Sequence, residues 1–444
     1  MAGLWVAVAT LLGLTTTTPW KNLRNRLLPK GEKEVVPKLT IYRDTNAWCP
    51  FCERVWILLE AKKIPYDVVL VNLQNKPQWW LDLASNAPSD QNPSGGSAVP
   101  AVKYHSDGEM LWESADIMHD LERRFPETPM LPPEGTLARS AAQEQLRHVS
   151  DLAAAGVSFA YAARNASLTS EELRERREGL EKALDDLDAR ISEFGGPFMV
   201  SDSLSLVDAM YAPLLERWSV QLPLSSDFEV RGTGRWRALD AWFEAMDASP
   251  PYAAVRGDRY SWASAVSTFQ RIFAVNGTMT EAAAAIAARA DVAAAKELKS
   301  SLDDELNSSG ALTEASARLL DNHQAIVDDA TNCNPRSQAH LSRLDPEDAP
   351  MVDLALQVIC ARLLDAAGVE EATPSVTEES PEESLSILSP DQLASVGTAC
   401  RYVAARLCVP RDMSAPAASA LRCSLLTLAN QVEKRAWQAS GGML

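Results

Sequence analysis

Thr45-Asn46-Ala47-Trp48-Cys49-Pro50-Phe51-Cys52-Glu53-Arg54-Val55 decides the reading of this chain. Pro50 suits the first turn of a helix, where its missing N–H has no helical partner to lose. Val55, Leu58, Leu59 and Lys62 follow at helical spacing. A helix is therefore expected from about Pro50 to Lys62, with Cys49 just before it and Cys52 one turn inside. A thiol attacks only as thiolate, and a free cysteine titrates near ~8.5. The unpaired N–H groups and the positive dipole end of a helix start favour the anion. Cys49 is therefore the expected nucleophile. Cys52 is placed either to resolve a mixed disulfide as a second thiol or to pack as a small buried residue.

On either side of this stretch the pattern is that of a small α/β unit. Lys38-Leu39-Thr40-Ile41-Tyr42 reads as a strand, and Tyr66 to Val71 as a second, rich in β-branched residues. Asn72 to Ala98 is polar and proline-rich. Within it, Asn75-Lys76-Pro77-Gln78-Trp79-Trp80 opens a short helix, and Asn86 to Ser97 is loop. Ala101–Tyr104 and Glu109–Trp112, separated by Ser106-Asp107-Gly108, give a hairpin. Ser114 to Phe125 closes the unit as a helix. The order is β-α-β-α-β-β-α.

After a proline-rich link, Pro126 to Pro133, the pattern turns helical. Leu180, Leu184, Leu187 and Ile191 form an amphipathic stripe. Ser205-Leu206-Val207-Asp208 has the form of a capping box, Asp208 reaching back to the Ser205 backbone N–H. Leu239, Trp242, Phe243 and Met246 make another apolar face, stopped by Pro250-Pro251. From about Ser264 the composition shifts toward alanine. Helices are expected over Glu281–Leu306, Ala311–Ala330, Met351–Ala367, Pro390–Leu407 and Ala415–Trp437. Val369 to Ser384 carries six glutamates and no basic residue, the mark of a solvated linker. The expected organisation is a leader or lead-in segment (1–37), a first domain (38–125), an all-helical domain (134–262) and a further helical region (263–444) with an acidic linker at 369–384.

The 444 residues carry a net charge of −18, which repels phosphate backbones and argues against nucleic-acid binding. Seven cysteines, an odd number in a long chain, argue against a disulfide scaffold and for a reducing compartment. A lone Cys-x-x-Cys is half a zinc site, but there is no second pair at metal spacing. The five histidines, His105, His119, His148, His323 and His340, are scattered, so no metal is expected. Asn-x-Ser/Thr triplets at Asn165, Asn276 and Asn307 occur at about chance frequency. Gly3 to Leu14 is apolar but too short to span a bilayer, and no integral membrane span is expected. No basic residue precedes that run, and Lys21, Arg24, Arg26 and Lys30 follow it, a poor secretory signal. It reads either as a leader to a complex plastid, which would make the location chloroplast or plastid, or as an amphipathic lead-in helix of a cytoplasmic protein.

Taken together, these segments resemble the cysteine-type glutathione S-transferases: the omega and lambda classes and the dehydroascorbate reductases. The cysteine segment Thr45–Val55 resembles their active-site stretch. Ser97-Ala98-Val99-Pro100 resembles the stretch before their cis-proline, Glu113-Ser114 with Ile117 their Glu-Ser-x-x-Ile motif, and Ser205–Asp208 their second-domain capping motif. The resemblance covers roughly Lys38 to Tyr260. It implies a thioredoxin-like α/β domain followed by an all-α transferase domain, with the further all-α region added. It also implies that glutathione is the co-substrate and that Cys49 forms a mixed disulfide with it. Val99, before Pro100, would offer backbone hydrogen bonds to the cysteinyl part. Glu113 and Ser114 would hold the γ-glutamyl end, and Lys76 the glycine carboxylate, with Phe51 near the sulfur. Each has a plainer reading: Glu113 and Ser114 also suit a helix cap, and Lys76 a solvated surface. Two departures stand out. The loop from Asn86 to Ser97 is longer and more polar than the family's link. Cys52 is not usual in these classes and tilts toward glutaredoxin-like dithiol chemistry.

The leading expectation is a glutathione-dependent thiol transferase or dehydroascorbate reductase acting on a small electrophilic or disulfide substrate, with a homodimer among the family's states. Tyr161, Tyr211 and Trp218 either line that substrate site or belong to the core. Two alternatives remain: a non-catalytic scaffold of the same fold, binding a partner through its C-terminal helices, and a dithiol reductase cycling Cys49 and Cys52.

Overall fold

The computed structural model describes residues 18–27, 36–162, 168–272, 278–302, 308–332, 344–369 and 380–440. The three Asn-x-Ser/Thr asparagines, the run Gly3–Leu14 and residues 370–379 of the acidic stretch lie outside them. The chain divides into two compact units, one of residues 33–294 with 409–411, the other of 1–32, 295–408 and 412–444. After a first helix α1 (Thr18–Leu27), which belongs to the second unit, the first unit begins with the expected α/β order. It runs β1 (Leu39–Asp44), α2 (Pro50–Lys62), β2 (Tyr66–Val71), α3 (Gln78–Ser85), β3 (Ala101–Tyr104), β4 (Met110–Trp112), α4 (Ser114–Arg124).

The four strands lie in the order β2-β1-β3-β4. β1 and β2 are parallel, and the β1–β3 and β3–β4 pairs are antiparallel. This is the thioredoxin-like domain. β1 runs two residues past the apolar pattern, because Arg43 and Asp44 still pair with Leu70 and Val71 of β2. The turn between β3 and β4 closes through Tyr104 N–H to Glu109 O (2.9 Å) and Gly108 N–H to Tyr104 O (3.0 Å), with Gly108 at φ +77°. α2 buries the expected apolar face, and it also buries Glu53, Arg54 and Lys62. The Lys62 ammonium is satisfied by Glu122 Oε2 at 2.7 Å and the Thr128 carbonyl at 2.6 Å.

The long loop Asn86–Ser97 is anchored rather than loose. Asn92 is buried and donates from Nδ2 to the carbonyls of Ala84 (3.2 Å) and Gly96 (3.0 Å). Trp112 N–H donates to Gln91 O at 2.9 Å, so the loop extends the edge of β4. A loop rich in proline and glycine thereby satisfies its backbone where it passes the site.

The rest of this unit is helical: α5 (Leu137–Ala162), α6 (Ser170–Phe194), α7 (Leu206–Ser226), α8 (Arg237–Asp247), α9 (Pro250–Ala253), α10 (Arg259–Ile272) and most of α11 (Glu281–Ser300). Leu180, Leu184, Leu187 and Ile191 of α6 are fully inside, as their spacing demands. The capping box at α7 is formed: Asp208 Oδ2 accepts from Ser205 N–H at 2.8 Å and from the Ser205 hydroxyl at 2.5 Å. Its other oxygen accepts from Met199 N–H (2.9 Å) and Trp242 Nε1 (2.8 Å), tying α8 to the start of α7. Tyr211 and Trp218 are core residues of α7. The Tyr211 hydroxyl donates to Gln145 O at 2.7 Å, and Trp218 packs against Gly156, where a Cβ would come within 2.0 Å of the ring. Tyr161 is exposed.

The second unit is built from α1 and four long helices: α12 (Ser309–Asn332), α13 (Ala349–Ala366), then, after the short α14 (Pro381–Ser386), α15 (Pro390–Arg406) and α16 (Ala415–Ala439). α14 takes up the end of the acidic stretch, capped by Ser380. α1 is held by Trp20, whose ring stacks on His323 at 4.1 Å and whose Nε1 donates to Asp353 Oδ1 at 2.9 Å. Arg24 and Arg26 of the basic stretch bond Leu320 O (2.7 Å) and Asp365 (2.6 Å). Burial pushes the Cys360 and Cys400 thiols up to about 12, which keeps them protonated. Among the described residues no helix is long and apolar enough to cross a membrane.

Candidate active site

The strand register assembles the site. Tyr42 of β1 pairs with Ala101 of β3, and Ala101 pairs with Trp112 of β4. The residues just beyond these pairs, Asp44 with the Cys49 turn, Val99-Pro100, and Glu113, therefore lie at one edge of the sheet. The Val99–Pro100 bond is cis. The Cys49 thiol points at the Val99 carbonyl, Sγ to O 3.7 Å.

Cys49 is the N-cap residue of α2, extended at φ −71° and ψ 116°, and it is half-buried, while Cys52 is buried. The Cys52 thiol donates to Cys49, and this bond is the largest influence holding the Cys49 thiol below its ordinary range. The backbone N–H groups of Cys52 and Phe51 act in the same direction. Burial and the Asp44 carboxylate oppose them. Cys52 goes the other way: burial, then the proton it shares with Cys49, hold it well above the ordinary thiol range. The two thiols are thus driven apart, Cys49 toward the anion and Cys52 toward the protonated form that donates to it. Both sulfurs are free of disulfides.

Asp44 completes this group. One carboxylate oxygen, Oδ2, accepts from Trp48 N–H at 2.7 Å and so shapes the turn that carries Cys49. The other, Oδ1, is buried without a hydrogen-bond partner. The carboxylate and the two sulfurs lie within 4.8 Å of one another.

The remaining predicted residues fall around the same edge. Lys76 Nζ donates to Ser97 Oγ at 3.0 Å, which fixes it beside the Val99-Pro100 segment. Trp80 Nε1 donates to Ser97 O at 2.9 Å and steadies the same loop. Glu113 is exposed and sits at φ +61°, a strained backbone for a residue with a Cβ, and its side chain does not cap α4. Ser114 opens α4 and is buried. Phe51 is half-exposed, with the Arg54 guanidinium over its ring at 5.1 Å. Arg54 itself is buried and donates to Met210 O at 3.0 Å, and burial lowers it to about 10.

Residues invisible to motif reading hold the turn from behind. Arg217 of α7 donates to the Trp48 carbonyl from Nη2 (3.0 Å) and to Glu53 Oε2 from Nη1 (2.6 Å), and its guanidinium lies over the Trp262 ring at 4.3 Å. Glu216 Oε1 accepts from Gly257 N–H at 2.6 Å and Trp262 Nε1 at 2.9 Å. Burial, then the neighbouring Glu53 carboxylate, hold the Glu216 carboxyl well above the usual range. Trp48 in turn packs on Phe269 of α10 at 4.8 Å between ring centres. The only sequence signal for this cluster was two charged residues, Glu53 and Arg54, on the otherwise apolar face of α2.

The family model for the glutathione S-transferase N-terminal domain matches residues 48–124, and that for the C-terminal domain matches residues 170–245. The chain is similar to glutathione S-transferase DHAR2 of Arabidopsis thaliana, at 32% identity over 39% of this chain and 68% of that protein. It is similar to glutathione S-transferase L3 of the same plant, at 31% over 48% of this chain and 81% of that protein. It is also similar to glutathione S-transferase omega-1 of Sus scrofa, at 30% over 50% of this chain and 82% of that protein. A thioredoxin-like sheet carrying Cys49 beside Val99-Pro100, two matching domain models and three such relatives lead to one statement: the chain belongs to the glutathione S-transferase family.

Proposed function

We propose that this protein is a glutathione-dependent thiol transferase or reductase that works through a mixed disulfide on Cys49. The reading is carried by one observation: the Cys49 sulfur stands at the start of α2, 3.7 Å from the carbonyl of Val99. An extended peptide laid along Val99 would bring its own thiol to that sulfur, pairing its backbone as a strand edge does. Lys76 takes the glycine carboxylate. Glu113 takes the γ-glutamyl ammonium, and Ser114 with the start of α4 takes its carboxylate.

In the cycle, the Cys49 thiolate attacks the glutathione sulfur of a mixed disulfide R–S–S–G. A sulfur–sulfur bond forms between Cys49 and glutathione, the sulfur–sulfur bond of R–S–S–G breaks, and R–S⁻ leaves. A second glutathione thiolate then attacks the bound glutathione sulfur. Glutathione disulfide leaves and the Cys49 thiolate returns. With dehydroascorbate, two reduced glutathiones supply the two electrons and two protons, and ascorbate and glutathione disulfide are the products. In the reduced protein, burial and the shared proton hold the Cys52 thiol well above its ordinary range, which disfavours its thiolate and supports a one-cysteine cycle over internal disulfide formation. A plastid location is in keeping with two relatives named as chloroplastic, glutathione S-transferases L2 and DHAR3 of Arabidopsis thaliana.

The test is to treat the reduced protein with oxidised glutathione and map the modified residue by mass spectrometry. A glutathione adduct on Cys49, with activity lost in Cys49→Ala, is expected. An adduct only elsewhere, or full activity in Cys49→Ala, overturns the reading. An intramolecular Cys49–Cys52 disulfide as the main product replaces it with the dithiol cycle.

A further inference from the structure

We propose that Asp44, Cys49 and Cys52 form a binding site for a thiophilic divalent cation of the zinc type, which occupies the nucleophilic sulfur and holds the protein inactive until the cation is withdrawn. The sequence offers only a lone Cys-x-x-Cys. The third donor comes from the end of β1, where the pairing of Asp44 with Val71 places a carboxylate against the two sulfurs.

Three features mark the group as a built site. The donor set, two sulfurs and one carboxylate oxygen, is one that zinc accepts. The donors lie within 4.8 Å of one another. A tetrahedral zinc with Zn–S near ~2.3 Å needs neighbouring sulfurs about 3.7 Å apart, so a small turn of the half-buried Cys49 side chain closes the set. The third feature is the orphaned oxygen. Asp44 is 4% exposed, and its Oδ1 has no partner. A buried carboxylate oxygen left unpaired is costly, and a cation bound there would satisfy it. Meanwhile Oδ2 is held by Trp48 N–H at 2.7 Å, the kind of outer bond that orients a ligating carboxylate.

Three protein donors leave a fourth position, which faces the half-buried side at Cys49. Binding releases the thiol protons to solvent and forms two sulfur–metal bonds and one oxygen–metal bond, with no change of oxidation state. While the cation is held, it draws charge from the Cys49 thiolate and blocks the approach of a disulfide to that sulfur. Inhibition therefore rests on the mixed-disulfide reading of Cys49, whereas metal binding does not.

The experiment uses the full-length, reduced, chelator-washed protein and zinc chloride alone, titrated in competition with a chromophoric chelator. One zinc per chain is expected above the background set by a Cys49→Ser/Cys52→Ser double variant. Asp44→Asn keeps an acceptor for Trp48 N–H, so the turn is retained, and it should weaken zinc at least about tenfold; Cys52→Ser should weaken it about a hundredfold. Cadmium in place of zinc should show the charge-transfer absorption of two thiolates, and Asp44→Asn should retain that band at a higher cadmium requirement. No zinc above the background, or equal affinity in wild type and Asp44→Asn with unchanged circular dichroism, overturns the site. Zinc bound as expected in a protein that takes no glutathione on Cys49 keeps the site and removes the inhibition, which separates this proposal from the proposed function.

Discussion

Arg217 donates from Nη2 to the carbonyl oxygen of Trp48 at 3.0 Å, so a side chain of the helical domain holds the peptide that precedes Cys49. The same guanidinium neutralises Glu53 on α2 at 2.6 Å and lies on the Trp262 ring. Planar, delocalised charge suits this triple role, and a lysine offers neither the fork nor the flat face.

Arg217→Met should therefore cost about 3–5 kcal/mol, because it leaves the buried Glu53 carboxylate uncompensated. Denaturant unfolding of the double variant Glu53→Gln/Arg217→Met separates charge from packing: most of the loss should return when the carboxylate goes too. In the double variant the Cys49 turn still lacks its anchor, so Cys49 should react more slowly with glutathione disulfide although stability is recovered. Equal rates would show that the turn holds itself.

Cys52→Ala removes the hydrogen bond that does most to lower Cys49. The thiolate is present above its pKa and lost as pH falls through it. The pH profile of Cys49 alkylation, measured with chelator present, should therefore shift upward in Cys52→Ala. Cys52→Ser, whose hydroxyl still donates, should restore part of the shift. Superimposable profiles for wild type and Cys52→Ala would sink the pairing of the two sulfurs.

Glu216 is the titrating group behind the site. Its folded pKa is raised, so its stabilising share is complete below the ordinary glutamate range and is lost as pH climbs through the folded value. Glu216→Gln keeps acceptance from Gly257 N–H and Trp262 Nε1, supplies a donor to Glu53, and cannot ionise. The melting temperature of wild type should fall relative to that of Glu216→Gln as pH rises above the ordinary glutamate range. Parallel curves would mean that Glu216 does not carry the proton.

Lys76→Ala and Glu113→Ala each remove one charged contact expected to hold glutathione. Each should raise the KM for glutathione by about 10- to 100-fold, equivalent to roughly 1.5–3 kcal/mol. Neither should change the rate at which iodoacetamide alkylates Cys49 in the absence of glutathione. A KM unchanged in both would return Lys76 to the solvated surface and leave Glu113 as a strained turn residue.

Local chemistry was enough to read much of this molecule. Proline at the first turn and the spacing of Val55, Leu58 and Leu59 fix α2. β-branched runs and the Ser-Asp-Gly turn fix the strands, and Ser205 with Asp208 fixes the start of α7. Those signals act within a few residues, so sequence order carries them whole, and they place Cys49 at a helix start. What depended on register and packing was decided by the tertiary structure. Two further β1–β2 pairs carry Asp44 to the sulfurs of Cys49 and Cys52, and a buried carboxylate with one unpaired oxygen cannot be told from a surface one by its position in the chain. Arg217, Glu216 and Trp262 reach the Cys49 turn only because α7 and α10 pack behind α2. The different settings of the two thiols also depended on the fold, since burial raises Cys52 while Cys49 stays more exposed at the helix start.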